Sequence, residues 1–164
     1  MAVLALSIVA GTQAHAAPGK WDHAANIKDA AGRLAMLHRR EGSPGVLKFL
    51  DACYRTHLLA SEFTQGLEAC MAQDYMHTQV LATIYARLPA EQRAKTGAPS
   101  PQVIADGMGK RFVTAFSQYK VPVSEAEAFK KLVDSQGFPV FLKAVFPNAA
   151  GKSSAGQDKP ADKK

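Results

Sequence analysis

The sequence predicts an all-α protein, a small bundle of five or six helices with a central disulfide-pinned helical hairpin. Three observations carry this reading. Apolar residues recur at i, i+3, i+4 spacing in each long segment, and no run alternates apolar and polar residues long enough to demand a strand. Serine, proline and glycine punctuate the chain where helices would start and stop. The two cysteines, Cys53 and Cys70, fall level with each other across a predicted turn.

In chain order, residues 1–16 read as a secretory signal peptide. Residues 2–11 are an apolar run of h-region length, and Ala14-His15-Ala16 is an A-x-A cleavage pattern. The run is too short to span a bilayer, and no Lys or Arg precedes it. Residues 17–147 form a single helical domain large enough for one core. Residues 148–164 are mostly Ala, Gly, Ser, Lys and Asp without a large apolar side chain, and are expected to be a disordered Lys-rich tail.

The first helix covers residues 20–40. Trp21, Ala24, Ile27, Ala31, Leu34 and Leu37 form its apolar stripe, and Asp22 and His23 sit in its first turn. Gly42-Ser43-Pro44-Gly45 ends it and starts the next helix, with Ser43 as cap and Pro44 at the first helical position. Val46, Phe49, Leu50, Cys53 and His57 then mark one face of the first hairpin arm. The turn lies at residues 60–64. The second arm runs to Leu88 and stops at Pro89, with Ser61 or Thr64 as its cap and Glu68 supplying first-turn negative charge. Each cysteine lies about 10 Å from the turn at about 1.5 Å rise per residue. That placement favours a disulfide between packed helices.

Residues 89–94 are a short extra turn. Ser100-Pro101 starts a helix carrying Val103, Ile104, Met108, Phe112, Phe116 and Tyr119, in which Gly107 and Gly109 suggest close approach of another helix. Ser124-Glu125-Ala126-Glu127 is a capping-box pattern. Gly137 reads as the terminator of that helix, and residues 138–146 as a last short helix beginning at Pro139.

Net charge is +6; the tail holds four lysines against two aspartates, which leaves +4 on the folded part. This is too sparse for a basic stripe with interleaved aromatics, and no nucleic-acid partner is expected. No transmembrane segment is expected, and oligomeric state is not specified by the sequence. In an oxidising compartment, two cysteines in one hairpin read as the bridge Cys53–Cys70. The competing chemistry is a metal site in which Cys53, His57, Cys70 and His77 hold zinc or copper, although no zinc-finger spacing is present. Asp74, Tyr75 and His77 are spaced as an acid/base cluster, but a charged residue beside a core aromatic is the favoured explanation, because spacing alone does not supply the geometry that proton transfer needs. There is no G-x-S-x-G, H-E-x-x-H, Walker A, G-x-G-x-x-G, C-x-x-C or C-x-x-C-H.

These observations lead to a non-enzymatic exported binding or interaction protein, in the periplasm of a Gram-negative bacterium or secreted. No catalytic residue and no cofactor are expected, and the partner is expected to be another envelope protein. The aromatic stripe Phe112, Phe116, Tyr119, Phe138 and Phe141 is the candidate partner face, with core packing as its plainer explanation. The rival readings are a stress or holdase chaperone that exposes apolar surface on acidification, a metal-handling protein that uses the hairpin Cys and His residues, and an enzyme whose site carries no recognised motif.

Overall fold

The computed structural model describes residues 21–147, so the expected signal peptide and Lys-rich tail lie outside the described residues. Six α-helices follow one another: α1 (His23–His57), α2 (Gln65–Ala86), α3 (Ala90–Thr96), α4 (Pro101–Gln118), α5 (Val123–Leu132) and α6 (Phe138–Val145). A π-helical segment, Val133–Gly137, joins α5 to α6. Among the described residues there is no strand, and no helix is long and apolar enough to cross a membrane. The fold is the all-α bundle that the hydrophobic periodicity predicts.

Helix α1 is two helical arms across a kink. Gly42 has φ 65° and ψ −170°, outside helical space, and Pro44 follows it. This is the break that Gly42-Ser43-Pro44-Gly45 predicts. Only glycine takes that left-handed φ without a Cβ penalty. The second arm buries Val46, Leu50 and Tyr54, whereas Phe49 is 39% exposed. Its inward face is therefore rotated by part of a turn from the one the periodicity suggests.

Helix α2 is the centre of the molecule. Residues 67–78 are buried apart from half-buried Tyr75, polar Glu68, Gln73, Asp74, His77 and Thr78 included. Helices α1 and α4 pack against it, and α6 and the π-helical segment close the bundle over α1. Two predicted starts hold, at Thr64 and Ser100, while α1 begins at His23 with Asp22 as its N-cap and not at residue 20. The side chains of Asp22, Thr64 and Ser100 accept from the amides of Ala25, Leu67 and Val103 at 3.0, 3.0 and 3.2 Å.

Three local expectations are corrected. The capping box does not form: α5 begins two residues earlier, and Pro122, not Ser124, is its N-cap, without a side-chain hydrogen bond. Lys120, at φ 53°, turns the chain at the end of α4, and the Pro122 carbonyl takes the first helical amides at 3.0 and 3.1 Å. Ser124 is thus already inside the first turn. Gly137 does not end a helix either, because the chain continues helically into α6. A Cβ there would lie 3.0 Å from Ile27 Cγ2 and from Met76 Sδ, so this glycine is where the chain passes tightly over the core. Gly107 and Gly109 admit no neighbouring helix. The nearest atom to a Cβ on Gly107 is in Arg111, and a Cβ on Gly109 would meet nothing within 4 Å.

Candidate functional site

Cys53 and Cys70 form the expected disulfide between α1 and α2, with Cα atoms 5.9 Å apart. His57 lies one helical turn beyond Cys53. Ligand atoms of Cys53, His57 and Cys70 all fall within 4.8 Å of one another. His77 does not join them. It is two turns further along α2, buried to 1% exposure and edge-on to His38 with ring centroids 6.3 Å apart. Of the four residues read as a possible metal set, the fold brings three together.

The Asp74–Tyr75–His77 run divides among separate environments. The Asp74 carboxylate accepts from Arg111 Nε and Nη2, both at 2.7 Å, from Tyr54 OH at 2.9 Å and from Thr78 Oγ1 at 3.1 Å. These donors leave it no free geometry for general-base work. Burial first, then the adjacent carboxylate, pushes the Tyr54 phenol well above its ordinary range. The hydrogen bond to Asp74 also holds the Arg111 guanidinium charged. His77 has no hydrogen-bond partner on either ring nitrogen among the described residues. Its pKa falls to about 4, through desolvation first and the neighbouring His38 second, with Asp74 opposing. The imidazole is neutral at neutral pH and sealed from solvent.

Glu68 ties the start of α1 to α2. Its carboxylate accepts from Trp21 Nε1 at 2.8 Å and Asn26 Nδ2 at 2.8 Å, and pairs with His23 Nδ1. Glu68 is in the first turn of α2, as the spacing predicts, and is there a buried anchor as well. Gln73 ties the same helices together by donating to the Ala30 carbonyl at 3.0 Å.

The aromatic stripe is chiefly core. Phe112 and Phe141 are buried, and Phe116, Tyr119 and Phe138 are half-buried against the core. Phe112, Phe116 and Phe129 form a triangle of rings with 5.9 Å centroid spacings. Phe63 from the hairpin turn stacks on Phe116, and Tyr119 OH lies 3.2 and 3.1 Å from the carbonyls of His57 and Ala60. These rings fasten α4 to the hairpin turn, so Phe112 and Phe141 offer no surface to a partner.

An open apolar surface lies elsewhere. A groove of about 1000 Å³ runs between the C-terminal half of α2 and α6. Tyr75, Val80 and Ile84 line one wall, and Phe138, Leu142 and Phe146 the other. Ile84, Leu142 and Phe146 are 45, 40 and 42% exposed. Arg87 and Lys143 stand at the groove as exposed cations. Neither side chain makes an ion pair among the described residues. Asp134, the acidic residue lining the groove, accepts from Tyr75 OH at 3.4 Å. Of the five rings that the sequence offers as a partner face, Phe138 alone lines this groove. The groove joins α2 to a segment more than fifty residues later in the chain, which helical spacing does not register.

No family model, curated protein or solved structure matches the chain.

Proposed function

We propose that the protein is an exported, non-enzymatic binding protein whose α2–α6 groove holds a single-chain amphiphile with an anionic head. The observation that carries this reading is the pairing of an exposed apolar trough with two unpaired cations, Arg87 and Lys143. Ligand clefts are commonly apolar with a few polar groups that fix orientation. The acyl chain lies along Val80, Ile84, Phe138 and Leu142, and the head meets the guanidinium and ammonium groups. The saturated Asp74 and the sealed His77 support a non-enzymatic role. The disulfide and the A-x-A pattern at Ala14-His15-Ala16 support export, which an intact mass beginning at Ala17 tests.

Calorimetric titration of the purified protein with decanoate, dodecanoate and dodecyltrimethylammonium, each below its micelle concentration, tests the groove. The anions bind at least tenfold more tightly than the cation. Dodecanoate binds about tenfold more tightly than decanoate, from about 0.8 kcal/mol per buried methylene. Charge reversal by Arg87→Glu with Lys143→Glu inverts the preference. Equal affinity for anion and cation, or no binding of either, overturns the reading in favour of a helical segment of an envelope protein as the occupant.

A further inference from the structure

The disulfide accounts for Cys53 and Cys70, but not for the His57 ring beside them or for the glycine beneath that ring. Gly66 is the second residue of α2, and a Cβ there would overlap His57 Cε1, Nδ1 and Nε2. The backbone does not require glycine at this position, because the positive-φ glycines among the described residues are Gly42 and Gly97. What Gly66 supplies is room for the imidazole against the sulfurs.

We propose that Cys53, His57 and Cys70 form a redox-gated site for a thiophilic divalent cation, with Zn²⁺ the ion that the donor set fits. Two thiolates and one imidazole are a soft, tetrahedral-compatible set, and water completes the fourth position. Cys53 and His57 are half-buried, so solvent reaches that position, while Cys70 is fully buried and fixes the ion against α2. With Zn–S bonds of about 2.3 Å, tetrahedral geometry asks for sulfurs about 3.8 Å apart. Side-chain rotation supplies that separation while the Cα atoms stay 5.9 Å apart. His57 is one turn from Cys53 on the same helical arm, so two donors move as one rigid unit.

The gate is thiol–disulfide exchange with a dithiol. One dithiol sulfur attacks Cys53 Sγ, the more accessible sulfur, and Cys70 leaves as a thiolate beside His57. The second dithiol sulfur then displaces Cys53 and closes the reductant's own disulfide. Two electrons and two protons have passed to the cysteine pair. Zn²⁺ binding releases those two protons to solvent and replaces the covalent bridge between α1 and α2 with a coordinated one.

The test titrates the full chain with Zn²⁺ alone, against a chromophoric chelator, after anaerobic reduction by a phosphine. Parallel loading with Co²⁺ reports thiolate-to-metal charge transfer. One equivalent binds the reduced chain and none binds the oxidised chain. His57→Ala and Gly66→Ala each weaken binding at least tenfold, while both variants keep the disulfide and the helical circular dichroism when oxidised. If reduction loosens the hairpin, Zn²⁺ restores its helicity. The proposal is overturned if the reduced chain binds no more Zn²⁺ than the double variant Cys53→Ser with Cys70→Ser. It is equally overturned if His57→Ala and Gly66→Ala bind as the native chain does, or if a loosened chain is not restored by the ion.

Discussion

Asp74 is 1% exposed, and the groups that hold it come from three helices. Removing Arg111 leaves a buried carboxylate with two hydroxyl donors and no cation. Arg111→Ala therefore lowers the unfolding free energy by about 3–5 kcal/mol, read from urea denaturation. His77 sets a pH dependence of known sign. Its folded pKa of about 4 lies below the unfolded 6.5, so the unfolded chain binds the extra proton between these values. Stability from this residue is present in full above pH 6.5 and falls as pH drops through the window, by about 3 kcal/mol at its lower end. His77→Leu flattens the stability profile between pH 6.5 and 4 relative to the native chain. The difference between the two profiles reports His77 together with its coupling to the neighbouring His38. The polar residues of α2 were the hardest to place from the sequence. Glu68, Gln73 and Asp74 have partners 47, 43 and 37 residues away, and no local spacing carries such distances.

At the scale of elements, the three long helices were legible because each opens on a side-chain cap and carries a helical apolar repeat. Asp22, Thr64 and Ser100 cap where their residue types say they should, and Gly42 breaks α1 where its Pro-Gly surroundings say it should. Rules of composition failed where tertiary geometry chose between equivalent signals. The turn at Lys120 and the preset backbone of Pro122 start α5 before Ser124 can cap it. Glycine gives the sharpest contrast. Gly109 sits in mid-helix with open space around a Cβ, so Gly109→Ala raises stability by about 1 kcal/mol in thermal or chemical unfolding. Gly137→Ala presses on the fully buried Ile27 and Met76 and lowers stability by about 1–3 kcal/mol. The same substitution thus has opposite signs at two positions that helical propensity treats alike.

Across the whole molecule, α2 is the axis on which the other elements hang. The disulfide fixes its first half to α1 and stabilises the fold by roughly 3 kcal/mol in the chain-entropy description, for a sequence separation of 17. Arg111 binds its middle to α4, and its last turns, with α6, form the open groove. The N-terminal half of α2 is thus committed to holding the bundle together, and the C-terminal half lines the open groove. The sequence points to the aromatic stripe as the exposed face. The structure uses Phe112, Phe116 and Tyr119 to fasten α4, buries Phe141 of α6 in the core, and leaves Ile84, Leu142 and Phe146 exposed. The most direct test is an amide and methyl NMR titration of the ¹⁵N,¹³C-labelled protein with dodecanoate. Shifts concentrated at Val80, Ile84, Arg87, Leu142 and Lys143, saturating at one ligand per chain, are the predicted result. Shifts centred on Phe63, Phe116 and Tyr119, or spread without saturation, would contradict the assignment of the groove as the binding site.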